Sequence, residues 1–134
     1  MIRHFLVCLG FLAFVSGCGS HAANQISTIA QDHTPAVVRF SIEVGTQRSS
    51  WNTVNTAVQT IVGDTLRVKN NDTIAHRIHT DGIPFPHGLD IAPGASTDYV
   101  VTAPWDPATG QYLYDHNVGR TAKFWVKVAQ TGAP

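Results

Sequence analysis

Three of the chain's seven histidines fall within twelve residues, in the stretch DTIAHRIHTDGIPFPHG from Asp72 to Gly88, among two prolines and two glycines. Imidazole is the commonest protein ligand for metals and the one side chain whose ordinary pKa lies close to neutrality. His76, His79 and His87 therefore have metal ligation and proton handling open to them. A fourth histidine, His116, closes the run GQYLYDH later in the chain. Each donor nitrogen must come within about 2.0 Å of a shared ion, so the elements that carry these residues decide which of them can meet.

Short alternating runs make up most of the chain around them. In AVVRFSIEV, which begins at Ala36, Val38, Phe40, Ile42 and Val44 alternate with Val37, Arg39, Ser41 and Glu43, the period-two pattern of a strand with one buried face. NTAVQTIV, TLRVKN, IAHRIHT, TDYVVTA, QYLYDH and KFWVKVA follow, many of them rich in β-branched or aromatic residues and separated by Gly, Pro, Asn and Asp. No segment carries a sustained helical period with caps. Seven short strands predict an all-β domain, two antiparallel sheets packed as a Greek-key β-sandwich. Two connections are longer than a hairpin needs, Asp81 to Ala95 and Ala103 to Gly110. Long loops in compact domains tend to be functional or disordered, and the first of these carries His87.

A chain of 134 residues, 43% of them hydrophobic, is the right size for one domain with its own core. Charged residues are 13% of the total, nine basic against nine acidic. Nucleic-acid binding needs a clustered basic face, and none is present, so no nucleic-acid partner is expected. The N-terminus has a basic Arg3 and then eleven residues from Phe5 to Val15 that are largely apolar. That run is shorter than the roughly 20 residues a spanning helix needs, so it predicts a secretory signal at 1–17. Its end, Val15-Ser16-Gly17-Cys18, resembles the lipobox of bacterial lipoproteins, which implies lipidation of Cys18 and a periplasmic, membrane-anchored protein. Cleavage after Ser20-His21-Ala22 is the alternative and would release a soluble protein. Residues 18–35 are polar and suit a tether, with His21 and His33 inside it, and the domain spans 36–134. In either case Cys8 leaves with the signal and Cys18 is lipidated or removed, so the domain holds no thiol for a disulfide, a ligand or a nucleophile.

From Gly63 onward the order of features resembles the cupredoxins, small copper-binding sandwich proteins of the plastocyanin type. The resemblance rests on GDTLRVKNNDTIAHRI, LDIAPGASTDYVV with its Pro93-Gly94 turn, and GQYLYDH. It implies a cupredoxin-like sandwich with His76 at the family's first copper-ligand position. It also implies His116 at the position of the family's ligand cysteine, after Gly110, Tyr112 and Tyr114 at the family spacing. The following NVGRTAKFWVKV has neither the second histidine nor the methionine of the family pattern, and Met1 is the only methionine in the chain. A blue-copper centre requires a Cys thiolate beside two histidines, so this chain implies a different, thiolate-free centre.

The resemblance makes His76 and His116 the core pair, at the ends of neighbouring strands. His79 is an odd number of residues from His76 and faces the other side of a regular strand unless a bulge intervenes. His87 joins if the Pro84-Phe85-Pro86 turn aims it back over His76. Asp115 alternates away from His116 and reads as a solvated charge, with orientation of an imidazole as its other role. Tyr112, Tyr114, Trp105 and Trp125 fill the core or cover the site. Imidazoles without a thiolate suit copper, zinc or nickel, and the Irving-Williams order favours Cu(II), with zinc the alternative kept beside it. The leading expectation is a copper-binding envelope protein acting in copper handling or as an atypical redox carrier, with a redox or copper-transfer protein as partner. A metal-free β-sandwich interaction module is the alternative. A copper oxidoreductase is least favoured, because no acid-base partner is evident in the sequence.

Overall fold

Alternation fixes which side chains turn inward on the first strand, β1 (Val37–Ile42), where Val38 and Phe40 are half-buried and Ile42 is fully covered. The computed structural model of the chain describes residues 33–46 and 48–131. The signal at 1–17, Cys18 and most of the 18–35 tether lie outside the described residues. The remaining strands are β2 (Val58–Ile61), β3 (Thr65–Asn70), β4 (Ile78–His79), β5 (Ser96–Val100), β6 (Leu113–Asp115), β7 (Gly119–Phe124) and β8 (Val126–Ala129). They hydrogen-bond in the orders β1-β3-β5, β2-β8 and β4-β6-β7. The inward faces share one core, with Ile42, Leu66, Val68, Tyr99 and Val101 from one side and Ile78, Leu113, Phe124, Val126 and Val128 from the other. The domain is the expected all-β sandwich, and its only described helical pieces are two single turns at Val54–Thr56 and Pro107–Thr109.

Two features depart from the expected antiparallel pattern. β1 runs parallel to β3, and β2 parallel to β8. Parallel neighbours need a crossover, and the segment between β1 and β3 supplies it by passing through β2. The run KFWVKVA also divides at Trp125, where the backbone N–H and C=O both bond the side-chain amide of Asn52, each at 2.8 Å. Before Trp125 the chain pairs with β6, and after it with β2. One continuous apolar alternation thus serves two sheets.

The IAHRIHT run pairs only in part. His76 makes an isolated antiparallel bridge with Ile91, and Ile78–His79 pairs with β6. The N–H of Arg77, which a continuous ladder would give to a backbone carbonyl, goes instead to Asp115 Oδ1 at 3.1 Å. The long loop that follows is pinned by the core. Phe85 is completely buried, Thr80 Oγ1 donates to its carbonyl at 2.8 Å, and the N–H of Thr102 donates to Pro84 O at 2.7 Å. Gly88 lies so close over Tyr99 that an added Cβ would meet the ring at 2.5 Å, so only glycine lets the loop settle there.

At the opposite end of β3 from the histidines, Asp64 gathers the start of the domain. Its Oδ1 accepts from Ala36 N (2.8 Å) and His33 Nε2 (2.6 Å), and its Oδ2 from Thr60 Oγ1 and Ile61 N (both 3.0 Å). His33, assigned to the tether from sequence, is thus bonded to the domain. Burial pushes the Asp64 carboxyl up, but the hydrogen bonds from Ala36, His33, Ile61 and Thr60 outweigh it and hold the pKa at about 2, against an ordinary 3.8. A carboxyl depressed in the folded state stabilises fully above its unfolded pKa, and that contribution fades as pH falls toward about 2. Asp64→Asn is expected to cost on the order of 1 kcal/mol near neutrality, allowing for solvent screening, and to flatten the acid arm of stability against pH. Denaturant titrations at a series of pH values check this.

Candidate metal centre

β4 and β6 pair antiparallel, with Ile78 opposite Asp115 and His79 opposite Tyr114. Successive side chains in a strand point to opposite faces, and Ile78 and Leu113 are fully or almost fully buried. That choice turns His76, Ile78, Thr80, Leu113 and Asp115 inward, and it leaves His79, Tyr114 and His116 on the outer face. There the Nδ1 atoms of His79 and His116 stand 3.3 Å apart, with the rings near-parallel at 17° and centroids 5.5 Å apart. His87 meets both rings edge-on, at 5.0 Å from His79 and 5.5 Å from His116. One nitrogen from each of the three lies within 4.8 Å of the others, the one such group of ligand side chains among the described residues.

This geometry and donor set fit a metal ion. Two imidazole nitrogens bound at about 2.0–2.1 Å with a tetrahedral angle between them stand roughly 3.3 Å apart, the separation already present between His79 and His116. No cysteine or methionine lies among the described residues, so the donors are imidazoles alone and a copper-thiolate centre does not fit. His79 is the best supported of the three. Its ring stacks on Tyr114 at 4.4 Å, its Nε2 stands 3.3 Å from Asp81 Oδ1, and the Arg120 guanidinium covers Tyr114 at 4.9 Å. With Nε2 turned to a carboxylate, Nδ1 is the nitrogen that would ligate an ion. Tyr114 therefore covers the site, whereas Tyr112 packs beside Trp125 and under the Lys123 ammonium.

His76 is placed elsewhere, contrary to the expected His76–His116 pairing. It has no exposed surface, its Nδ1 donates to Asp115 Oδ2 at 2.5 Å, and its Nε2 stands 3.2 Å from Asp72 Oδ2. The Trp51 ring lies edge-on at 5.4 Å. With a carboxylate at each nitrogen and the ring on the core side of β4, His76 is not among the three that converge. The Pro84-Phe85-Pro86 turn aims His87 over His79 and His116 instead.

Asp115 is corrected as well, since it is fully buried rather than solvated. Besides His76, it accepts from Arg77 N and from Asn117 N at 2.9 Å. Asp72 was missed altogether. Burial pushes its carboxyl up, but hydrogen bonds from Thr73 N, Gly45 N and His76 prevail and hold it below the usual carboxylate range. An acidic residue four positions before a histidine was its only signal in the sequence. Beside the site, Asp90 bonds Asn117 and Arg77, which together hold its carboxyl below the usual range.

No protein-family model matches the chain, and no curated protein matches it in sequence. Solved structures do match in shape. A methionine-to-alanine mutant of amicyanin in its Cu(I) form aligns with a TM-score of 0.51 at 13% identity, covering 75% of this chain and 89% of that one. The purple cupredoxin from Nitrosopumilus maritimus aligns at 0.49 and 13% identity, covering 69% of this chain and 99% of that one. Identity at this level speaks to architecture alone. The likeness to amicyanin and the eight-stranded sandwich agree, and the chain has a cupredoxin-like fold.

Proposed function

We propose that the chain binds copper through His79, His87 and His116, as a cupredoxin-like protein of the cell envelope that handles Cu(II). The observation that carries this reading is the convergence of three imidazoles from β4, the 81–95 loop and the end of β6, two of them already at metal-ligand spacing. A bound Cu(II) supplies a Lewis-acidic, redox-capable centre, and zinc is the other ion the donors suit. The protein's part is to present neutral imidazoles, with Tyr114 and Asp81 fixing the His79 ring. His87 and His116 are exposed, which suits entry and release of an ion better than a shielded electron-transfer centre. Lipidation at Cys18 would hold such a site at the membrane surface within reach of a copper-transfer or redox partner.

Titration of the purified chain with Cu(II) is expected to saturate at one equivalent. The EPR spectrum should be axial with large copper hyperfine splitting, without the intense visible absorption of a copper-thiolate bond. Ligating imidazoles must be unprotonated, so affinity should fall as the solution is made acid. Binding unchanged at acid pH would rule out histidine ligation. A chain that takes up no stoichiometric copper or zinc would leave the sandwich as a metal-free interaction module.

A further inference from the structure

We propose that buried Asp115 is the positioning residue of the candidate metal centre, setting the spacing of His79 and His116 before any ion arrives. This rests on the three-imidazole reading and adds to it a residue that touches no ion. A carboxylate has four lone-pair directions, and Asp115 spends three of them at the junction that carries both ligands. Oδ1 accepts from Asn117 N, one residue beyond His116, and from Arg77 N, two residues before His79. Oδ2 accepts from the ring of His76 at 2.5 Å. The carbonyl of Arg77 in turn accepts from His116 N at 2.7 Å, so the two ligand-bearing segments are tied by main chain and by one side chain.

The clamp reaches further back. His76 leads to Asp72, whose Oδ1 accepts from Thr73 N at 2.7 Å and Gly45 N at 3.2 Å. The turn after β1, the start of the 72–88 stretch and the end of β6 are thereby joined through groups with no exposed side-chain surface. An isolated buried charge would be costly, but here each carboxylate oxygen has a partner and the network is confined to one geometry. β6 has its irregularity between Tyr114 and Asp115, so pairing with β7 does not by itself dictate where His116 points. Asp115 supplies what the strand ladder omits at that point.

The test compares Asp115→Asn with Asp64→Asn in the full chain. Both remove one charge from a buried, hydrogen-bonded carboxylate, but Asp64 lies at the other end of β3. Both variants are expected to melt lower than the parent. Only Asp115→Asn should weaken Cu(II), by about tenfold or more as for other groups that orient metal ligands, and only it should change the hyperfine splitting of the bound ion. Asp64→Asn should hold affinity within about twofold, in line with additivity of distant sites. Asp115→Glu, which keeps the charge and displaces it by one methylene, carries the same test if the Asn variant does not fold, with a changed hyperfine splitting expected. Parent-like affinity and spectrum in the folded Asp115 variants, or equal weakening by both Asn variants, would overturn the positioning role. A parent chain that binds no Cu(II) would instead overturn the site reading.

Discussion

Replacing His79 or His116 by Ala is expected to lower Cu(II) affinity by about two to three orders of magnitude while leaving the fold intact. The magnitude follows from the apparent binding energy of a four-ligand structural site, about 10–16 kcal/mol, which is roughly 3–4 kcal/mol for each donor. Of the two, His116→Ala is the cleaner test, because the His116 ring is exposed and its backbone bond to Arg77 survives. His79→Ala also removes the stack on Tyr114 and the contact with Asp81, so a slightly larger loss is expected. Competition with a chelator of known affinity gives the binding loss, and thermal melts of the apo chain show whether stability is spared.

The opposite pattern is expected of His76→Leu. Leucine can occupy the space of the ring but leaves the Oδ2 atoms of Asp115 and Asp72 without their imidazole, inside a region with no solvent to replace it. Leaving buried carboxylates without a hydrogen-bond partner is strongly destabilising, about 3–5 kcal/mol where a charge is left uncompensated. For a domain of this size that lowers the melting temperature on the order of 15–25 °C. All three converging imidazoles remain, so copper should still bind below the melting point, with affinity reduced about tenfold through the loosened Asp115. A His76 variant that folds well and loses copper entirely would return His76 to the ligand set.

The contrast between His76 and His79 shows what the sequence made legible. The Asp72–Gly88 stretch stood out from residue type and His116 from the family resemblance, and alternation placed His76 and His79 on opposite faces. Ile78 was the available clue to which face was which. An isoleucine two residues from His76 turns that side into the core, and the apolar Leu113 does the same for Asp115. The family resemblance drew weight to His76, whereas local burial carried it to His79.

Other features depended on residues distant in sequence. The division of KFWVKVA at Trp125 is made by Asn52, and the seat of His87 by the buried Phe85 and the close pass of Gly88 over Tyr99. Strand patterns report which face is buried but not which neighbour pairs, so the parallel β1-β3 and β2-β8 ladders left no local trace. The strands themselves were readable because each one carries its own alternation.

The most direct measurement is long-range nitrogen NMR of the histidine rings during titration of the chain with Zn(II), which suits the same donors and is diamagnetic. At one equivalent, one ring nitrogen in each of His79, His87 and His116 should move to a metal-bound shift, while both nitrogens of His76 keep their positions against Asp115 and Asp72. Metal-induced shifts at His76, or one bound equivalent that leaves the other three rings unmoved, would contradict the account.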